Sequence, residues 1–310
     1  PVWFTDVPVD ATDIGPDYWL YGVQACCRTA IFYSPNCLCC RWELADPNGR
    51  RKPKSEIVAD QLIASLRLGQ NLLSYATGRQ LDEKLNTRTV LRAAADPIPD
   101  RAIIRIGSLA IDAGGEDVKR ALPNMTTLLR NQLPVRIGAA KSLVGIDEKQ
   151  LKAYPIIWVH GRRGFTLTPQ QRELLSSHLE RGGVLICNAI CGSETFTTSL
   201  RKELALILPD ARLSPMRGDH PAFKDTSGGF DIRSVTIRRP VRTPRGIDLQ
   251  QRRGAPQIEV ADVEGVASVF LSPLDLSCAL ESQNSVQCPG YDTTDAAKIA
   301  VNLILYAMQQ

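Results

Sequence analysis

The middle of the chain alternates short apolar runs with segments whose apolar residues recur at helical spacing. The apolar runs that predict strands lie at residues 103–110, 135–139, 155–160 and 183–189. Helices are predicted between them, at residues 123–129, after Asp147 and after Thr168. Because short links join the alternating strands and helices, the crossovers are right-handed and helices cover both faces of the sheet. The pattern predicts an α/β fold, a three-layer sandwich with a mostly parallel central sheet.

The helix after the third strand has the clearest predicted boundaries. Thr168 is the predicted N-cap, Pro169 occupies the first helical position, and Gln171 completes a capping box. Gly182 ends the helix, since glycine readily adopts the left-handed conformation that is common after a helix. The fourth strand follows at once, so the third and fourth strands are expected to be neighbours in the sheet.

The last third of the chain is richer in predicted strands, at residues 230–237, 257–260 and 266–272. An arginine-rich insertion within residues 233–253 contains prolines and a glycine, which predict a loop or the tip of a hairpin. A solvated tip is the favoured interpretation, and binding of an anionic partner is the alternative. A helix capped by Thr293 or Thr294 closes the chain, and its apolar residues on nearly all sides predict burial against the sheet.

The first 54 residues show little periodicity and are rich in aromatic residues. These are Trp3, Phe4, Tyr18, Trp19, Tyr21, Phe32, Tyr33 and Trp42. So much apolar surface favours an irregular, aromatic and cysteine-rich arm that packs on the α/β domain, on a protein partner or on another subunit. Ser55 is the predicted cap of a helix that ends near Gly78. The predicted organisation is an arm and linker at residues 1–54, a helical segment at 55–100 and an α/β domain at 101–310.

Composition and charge exclude several classes of protein. Hydrophobic residues make up 44% and charged residues 23% of the 310 residues, which excludes wholesale disorder and coiled coil. A net charge of +4 and an aromatic content of 6% disfavour a dedicated nucleic-acid-binding protein. No run approaches the roughly 18 apolar residues of a transmembrane helix. Since the sequence begins with Pro1, we expect a removed signal peptide and a periplasmic or cell-envelope location, or a cytoplasmic one if the cysteines bind metal.

Nine cysteines are the strongest compositional signal. Disulfides are favoured over a metal or cluster site, because an exported chain folds in an oxidising compartment. The disulfide candidates are Cys26, Cys27, Cys37, Cys39, Cys40, Cys191, Cys278 and Cys288. Cys187 lies in a buried strand and is expected to remain unpaired. Cys278 and Cys288 flank a polar turn, which suits a disulfide-closed loop better than a zinc half-site.

The carboxyl ends of the third and fourth strands lie where open α/β sheets bind ligands. The residues predicted to bind a ligand there are His160, Arg162, Cys191, Ser193 and Glu194. Cys191 and His160 are also the candidate catalytic pair, since a cysteine near a helix N-terminus and a histidine can form a thiolate nucleophile. Alternatively, Cys191 would bind a metal together with Cys278, Cys288 or His160. Zinc or an iron–sulfur cluster would be the cofactor in that case, and the favoured disulfide interpretation predicts none.

Several short motifs in the α/β region resemble one bacterial family. They are Tyr154-Pro155, Val159-His160-Gly161, Phe165, Leu167-Thr168, Leu179, Arg181-Gly182-Gly183, Leu185, Asp219-His220-Pro221-Ala222-Phe223 and the stretch from Val301 to Ala307. In this order they resemble the family catalogued as domain of unknown function 4159, over roughly residues 100–310. The resemblance implies a fold similar to class I glutamine amidotransferase-like, flavodoxin-like domains and carries no established activity. Many members have acidic residues and an aromatic after the fourth strand; this chain has Cys187 and Cys191, which favours a cysteine-containing variant.

Three hypotheses about function follow from these patterns. The first is a non-catalytic, exported domain that scaffolds or binds a protein partner through its N-terminal arm and is stabilised by disulfides. The second is a cysteine-ligated metal or cluster protein. The third is a hydrolase or amidotransferase-like enzyme that uses Cys191 and His160, and it rests on similarity of fold alone. A binding role is therefore favoured over an enzymatic one.

Overall fold

The computed structural model describes residues 20–25, 28–44, 56–77, 104–132, 137–139, 143–243, 246–281 and 288–310. The chain divides into two units, one within residues 1–95 and the other within residues 96–310. This division lies close to the start predicted for the α/β domain. The finer organisation into an arm, a helical segment and an α/β domain stays a prediction.

The described part of the first unit contains a β-hairpin and two helices. They are β1 Tyr21–Ala25, β2 Arg28–Tyr33, α1 Leu38–Leu44 and α2 Glu56–Thr77. The expectation of an irregular arm is wrong for these segments, whereas residues 1–19 lie outside the described residues. The hairpin pairs Tyr21 with Tyr33 and Val23 with Ile31. Such aromatic and β-branched pairs stabilise antiparallel strands, which explains the regular structure.

Helices α1 and α2 pack against each other within the first unit. Leu38 of α1 and Ala64 of α2 belong to the same buried cluster. The indole Nε1 of Trp42 donates a hydrogen bond to the carbonyl oxygen of Ser65 at 2.8 Å. The two helices are therefore joined by both apolar burial and a directed hydrogen bond.

The second unit is built on a mixed, mostly parallel β-sheet. Its described strands are β3 Ile104–Ser108, β4 Ile137–Ala139, β5 Ile156–Gly161, β6 Val184–Ala189, β7 Ser214–Pro215, β10 Glu259–Val263 and β11 Val266–Ser272. They lie in the order β4-β3-β5-β6-β11-β10-β7. The first five are parallel, and β10 is antiparallel to both of its neighbours. The predicted parallel sheet is confirmed, including the pairing of the third and fourth predicted strands.

The arginine-rich segment forms part of a second, smaller sheet. Its described strands are β8 Val235–Thr243, β9 Gly246–Gly254 and β12 Gly290–Tyr291, in the order β12-β8-β9. The segment is therefore a hairpin with two long strands, and the alternative expectation of a loop is wrong for most of it. Pro240 pairs with Leu249 but lies beyond the β8 residues that pair with β12. A proline is tolerated there because that edge of the strand does not need its N–H group.

Helices flank the larger sheet. They are α3 Ala121–Gln132, α4 Glu148–Ala153, α5 Pro169–Glu180, α6 Glu194–Ile207, α7 Ser277–Leu280 and α8 Thr293–Ala307. Val159 of β5 and Cys187 of β6 share one buried cluster with Leu175 of α5 and Leu200 of α6. Among the residues that the structure describes, no helix has the length and hydropathy that a membrane span requires.

Side-chain caps determine where several of these helices begin. The Asp147 side chain caps α4, and Thr168 forms the predicted capping box with Gln171 at the start of α5. Ser193 caps α6, because its hydroxyl accepts from the backbone N of Phe196.

The last helix is fixed by polar side chains at its start and in its middle. The N-cap of α8 is Asp292, whose carboxylate accepts from the backbone N of Thr294, rather than either of the predicted threonines. The buried Asn302 side chain accepts from the backbone N of Phe230 at 2.8 Å and donates to the carbonyl oxygens of Ala222 and Phe230 at 2.9 and 2.7 Å. Asn302 therefore attaches the irregular segment before β8 to the buried helix.

We expect Asn302→Ala to lower the free energy of unfolding by roughly 2–4 kcal/mol, because it leaves several buried backbone groups without partners. Asn124→Ala is the matched control, since the Asn124 side chain donates only to the carbonyl oxygen of Leu280 at 2.9 Å. Its expected loss is about 1 kcal/mol. Urea denaturation of the full chain measures both values, and equal losses would contradict the anchoring role of Asn302.

Candidate functional site

The carboxyl ends of β5, β6 and β11 lie side by side and carry the polar residues of the site. In the sheet register, His160 lies opposite Asn188, and Asn188 lies opposite Ser272. A 3₁₀ turn, Ile190–Gly192, follows β6, and Asp275 comes shortly after the end of β11. The crossover topology thus brings residues that are far apart in sequence to one edge of the sheet, as expected for an open α/β fold.

The Asp275 side chain connects the segments at this edge. Its Oδ1 accepts from the backbone N of Cys191 at 2.9 Å and of Cys278 at 3.3 Å, and its Oδ2 accepts from the N of Ala279 at 3.2 Å. Its own backbone N donates to the carbonyl oxygen of Pro289, next to Cys288, at 3.1 Å. One acidic residue therefore fixes all three chain segments that carry the late cysteines.

The environment of Asp275 perturbs its ionisation. The residue is buried, and burial raises the pKa of its carboxyl to about 6. Hydrogen bonds from the three backbone N–H groups, together with the charge of Arg238, act in the opposite direction on this pKa. A buried carboxylate is tolerable here because its oxygens are occupied by backbone donors.

Three cysteine sulfurs meet beside Asp275. The Sγ atoms of Cys191, Cys278 and Cys288 all lie within 4.8 Å of one another. Cys191 and Cys288 form a disulfide, and the Sγ atoms of Cys191 and Cys278 are 3.7 Å apart. Cys278 and Cys288 are buried, whereas Cys191 is partly exposed. The sequence interpretation proposed this cysteine set for a metal site, and the structure brings its members together.

The backbone at Cys191 is unusual. Its φ of 52° lies in the left-handed region, which a residue with a side chain adopts at a cost of about 1–2 kcal/mol. The next residue, Gly192, also has a positive φ of 61°, and a Cβ atom there would come within 3.1 Å of Pro289. The turn is therefore held close to the segment that carries Cys288.

His160 joins a buried polar network instead of the cysteine cluster. Its Nδ1 lies 2.9 Å from the hydroxyl oxygen of Ser277. The Ser277 hydroxyl in turn donates to the Oδ1 of Asn188 at 2.9 Å. With that hydroxyl proton used on Asn188, the His160 Nδ1 must be the donor to Ser277. Burial lowers the pKa of His160 to about 4, so the ring is neutral at pH 7.

The remaining predicted ligand-binding residues have local structural contacts. Arg162 forms an ion pair with Asp117, and its carbonyl oxygen accepts from the hydroxyl of Ser193 at 2.7 Å. Ser193 also caps α6, and Glu194 is the exposed first residue of that helix. Their predicted role in ligand binding stays a prediction.

The other cysteines are divided between the two units. Cys37 and Cys40 form a disulfide, whereas Cys39 is exposed and unpaired, so the predicted disulfide of Cys39 is wrong. Cys187 is buried and unpaired, as predicted, and burial raises the pKa of its thiol. Cys26 and Cys27 lie outside the described residues, so their predicted disulfides stay predictions.

An open cleft lies at the same edge of the sheet. Its volume is about 520 Å³, and Asp112, Phe165, Gln171 and Ser199 line it. The Asp112 side chain is almost fully exposed and pairs with Arg163, so the charged lining of the cleft is solvated. The cysteine cluster is the better candidate site, since its side chains converge and two of them are buried.

Sequence comparison supports the family resemblance. The sequence model of a family described as Domain of unknown function (DUF4159) matches residues 102–308. The chain belongs to this family. No curated protein matches the chain with significant similarity. The DUF4159 domain contains the complete set of Cys191, Cys278 and Cys288, whereas Cys37 and Cys40 precede it.

The sequence interpretation missed Asp275, Ser277 and Asn188 as parts of the site of the DUF4159 domain. Asp275 and Ser277 follow the apolar run at residues 266–272, and Asn188 is the last residue but one of the run at 183–189. A search for polar residues at the carboxyl end of every predicted strand, and not only the third and fourth, would have found them.

The neutral state of His160 predicts a specific loss of stability in acid. The unfolded chain binds a proton at His160 near pH 6.5, whereas the folded DUF4159 domain binds it only near pH 4. The stability from this residue is complete above pH 6.5 and is lost as the pH falls toward 4. We expect His160→Gln to remove about 3 kcal/mol of this acid dependence, as measured by urea denaturation across the range.

The control for this experiment is His220→Gln. Burial lowers the pKa of His220 as well, but the charges of Asp262 and Asp219 oppose this effect. A smaller change in acid dependence is therefore expected. The raised pKa of Asp275 acts in the opposite direction over the same pH range, and it cancels when each variant is compared with the wild type. An identical pH dependence in His160→Gln and wild type would contradict the neutral, buried imidazole.

Replacement of Asp275 is expected to lower stability at pH 7 through the loss of its hydrogen bonds. Asp275→Ala leaves three buried N–H groups without acceptors and is expected to cost roughly 3–5 kcal/mol. Asp275→Asn is the matched variant, because its amide oxygen can still accept from Cys191 and Cys278. Asp275→Asn should therefore lose clearly less free energy of unfolding than Asp275→Ala. Chemical denaturation at pH 7 under oxidising conditions measures both variants. Equal losses would show that the hydrogen bonds of Oδ1 contribute little.

Proposed function

We propose that the protein is a non-catalytic domain that binds a thiophilic metal ion, zinc, through Cys191, Cys278 and Cys288. The observation that carries this proposal is the convergence of three sulfurs within 4.8 Å from three separate chain segments. A metal site needs at least three ligands, and these three cysteines supply that number when reduced. Two of the three cysteines are buried, as is usual for metal ligands held by a folded domain.

The spacing of one sulfur pair agrees with binding of a single metal ion. Zinc binds thiolate sulfur at about 2.3 Å, so two sulfurs of a tetrahedral site lie about 3.8 Å apart. The 3.7 Å between the sulfurs of Cys191 and Cys278 agrees with this geometry. A [4Fe–4S] cluster places each cysteine on a different iron atom, and a [2Fe–2S] cluster places two cysteines on each iron, so neither cluster holds three cysteine sulfurs on one metal atom. The proposal therefore selects zinc from the two cofactors considered in the sequence interpretation.

The neighbouring polar groups favour a site with three protein ligands. The carboxylate oxygens of Asp275 accept backbone N–H groups, and the Nδ1 of His160 is paired with Ser277. The fourth ligand would then be a solvent molecule reached through the partly exposed Cys191 side. Three thiolates outweigh the charge of Zn²⁺, which disfavours ionisation of a bound water. A binding or structural role follows more readily than a hydrolytic one.

The exported, disulfide-stabilised partner-binding domain is the second candidate. Its support is the pairing of Cys191 with Cys288 and of Cys37 with Cys40. The two candidates differ in location, since three thiolates persist in a reducing cytoplasm and disulfides persist outside it. Binding of a protein partner through the N-terminal arm belongs to the second candidate. The Cys191 and His160 enzyme has less support, because a buried imidazole of pKa about 4 is a weak base at neutral pH.

The architecture proposed for this function is the one implied by the family resemblance. We infer a three-layer, flavodoxin-like sandwich of the amidotransferase-like type. Its support is the parallel strand order together with helices that pack around the central strands. In such a fold the cysteine cluster lies at the carboxyl edge of the sheet, where ligands are bound.

Zinc titration of the full chain tests the proposed function. The protein is reduced, freed of metal with a chelator and titrated with zinc chloride in competition with a chromogenic chelator. We expect one zinc ion per chain, and Cys278→Ala should weaken binding by at least about 100-fold, because loss of one ligand leaves two. Cobalt(II) in place of zinc should give the charge-transfer absorption of thiolate ligands.

The matched control is Cys187→Ala, which also removes a buried cysteine but one outside the cluster. It should bind zinc as the wild type does, and circular dichroism verifies that both variants are folded. The proposal is wrong if the reduced wild type binds no zinc, or if Cys278→Ala and Cys187→Ala bind it equally well.

A further inference from the structure

The same three cysteines can exist in two chemical states. Resting on the proposed zinc site, we infer that the site is redox-regulated and that oxidation of Cys191 and Cys288 to their disulfide expels the metal. The structure contains this disulfide within the sulfur cluster. Its formation removes two of the three ligands, and fewer than three ligands do not hold zinc against solvent. Metal-bound and disulfide-bonded forms are therefore mutually exclusive.

The backbone of the site suits both states. Asp275 binds the backbone at Cys191 and Cys278 through its side chain and the backbone at Pro289 through its own N–H. None of these hydrogen bonds uses a sulfur atom, so none is broken when the sulfurs change partners. The Cα atoms of Cys191 and Cys288 are 4.3 Å apart. Small rotations of side chains can therefore interconvert the two states without unfolding of the domain.

Burial determines which sulfur an oxidant reaches first. Cys278 and Cys288 are 0% and 2% exposed, whereas Cys191 is partly exposed in its turn after β6. A small-molecule disulfide can thus approach Cys191 but not the other two. Access is one of the factors that control thiol–disulfide exchange, so Cys191 is the expected site of attack.

The reaction balances with a small-molecule disulfide as the oxidant. The Cys191 thiolate attacks one sulfur of this oxidant, forms a mixed disulfide and releases the first thiolate. The Cys288 thiolate then attacks the Cys191 sulfur, closes the protein disulfide and releases the second thiolate. Two electrons pass from the two cysteines to the oxidant, and zinc remains divalent. The bond between zinc and the Cys278 sulfur breaks as the divalent metal leaves.

The first experiment treats the zinc-loaded full chain with oxidised glutathione. Released zinc is measured with a chromogenic chelator, and the disulfide is identified by mass spectrometry of peptides prepared without reductant. We expect one zinc ion released for each Cys191–Cys288 disulfide formed, and recovery of zinc binding after dithiothreitol. Cys187→Ala is the matched control and should release zinc at the wild-type rate.

A second experiment tests the order of the two steps on metal-free, reduced protein. Cys288→Ala lacks the second thiolate and should accumulate glutathione on Cys191, whereas the wild type should proceed to the protein disulfide. Cys191→Ala should acquire at least about tenfold less glutathione at the cluster, since the remaining sulfurs are buried. Adducts of equal amount on Cys278 in all variants would overturn the assigned order.

The outcomes separate this inference from the proposed function. If the reduced chain binds no zinc, the proposed function fails and the inference fails with it. If zinc binds but stays bound in oxidised glutathione, or leaves without formation of the Cys191–Cys288 disulfide, the redox inference alone is wrong. Release coupled to that disulfide supports both.

Discussion

The buried carboxylate of Asp275 is the interaction on which the arrangement of the site depends. Removing an ionised group from water is costly, and a protein can accept it only when the charge is fully hydrogen-bonded. Here three backbone N–H groups surround the carboxylate, and the positive charge of Arg238 favours its ionised form. The donors belong to the turn after β6 and to α7. Asp275 therefore ties two distant elements to the end of β11.

Two adjacent residues of α7 connect the polar network of His160 and Asn188 with Asp275. Ser277 contacts His160 and Asn188, and the backbone of Cys278 contacts Asp275. A short helix of this kind has little stability of its own, so its position depends on such tertiary contacts. The neutral imidazole of His160 thus has a structural role: it holds α7 through Ser277, while the Asp275 carboxylate holds the same helix through the backbone N–H groups of Cys278 and Ala279.

Much of the fold was predictable because its signals are local. Apolar runs mark strands that are buried on both faces, and the cap at Thr168 with Pro169 and Gln171 marks a helix start through nearby residues. The hairpin formed by β1 and β2 was not predicted, and the long strands of the β8–β9 hairpin were predicted only as a loop or a hairpin tip, because neither segment shows a clear alternation of apolar and polar residues. Both depend on cross-strand pairs that only the register shows.

The candidate site was predictable only in part. The sequence identifies Cys191, Cys278 and Cys288 as a set, but Cys191 and Cys288 are 97 positions apart and their approach depends on the strand order. The position of Asp275 after a predicted strand makes it a candidate, but its contacts were not predictable for a similar reason. The hydrogen bond between Asp275 and the backbone N of Cys191 joins residues that are 84 positions apart.

The left-handed backbone of Cys191 has a consequence for the sequences of related proteins. Glycine adopts this conformation without strain, and asparagine adopts it more readily than most residues. A cysteine at the position therefore reflects selection for the sulfur rather than for the shape of the turn. Relatives that have lost the cluster are free of that selection, and their substitutions at position 191 should return to glycine or asparagine instead of spreading over all small residues.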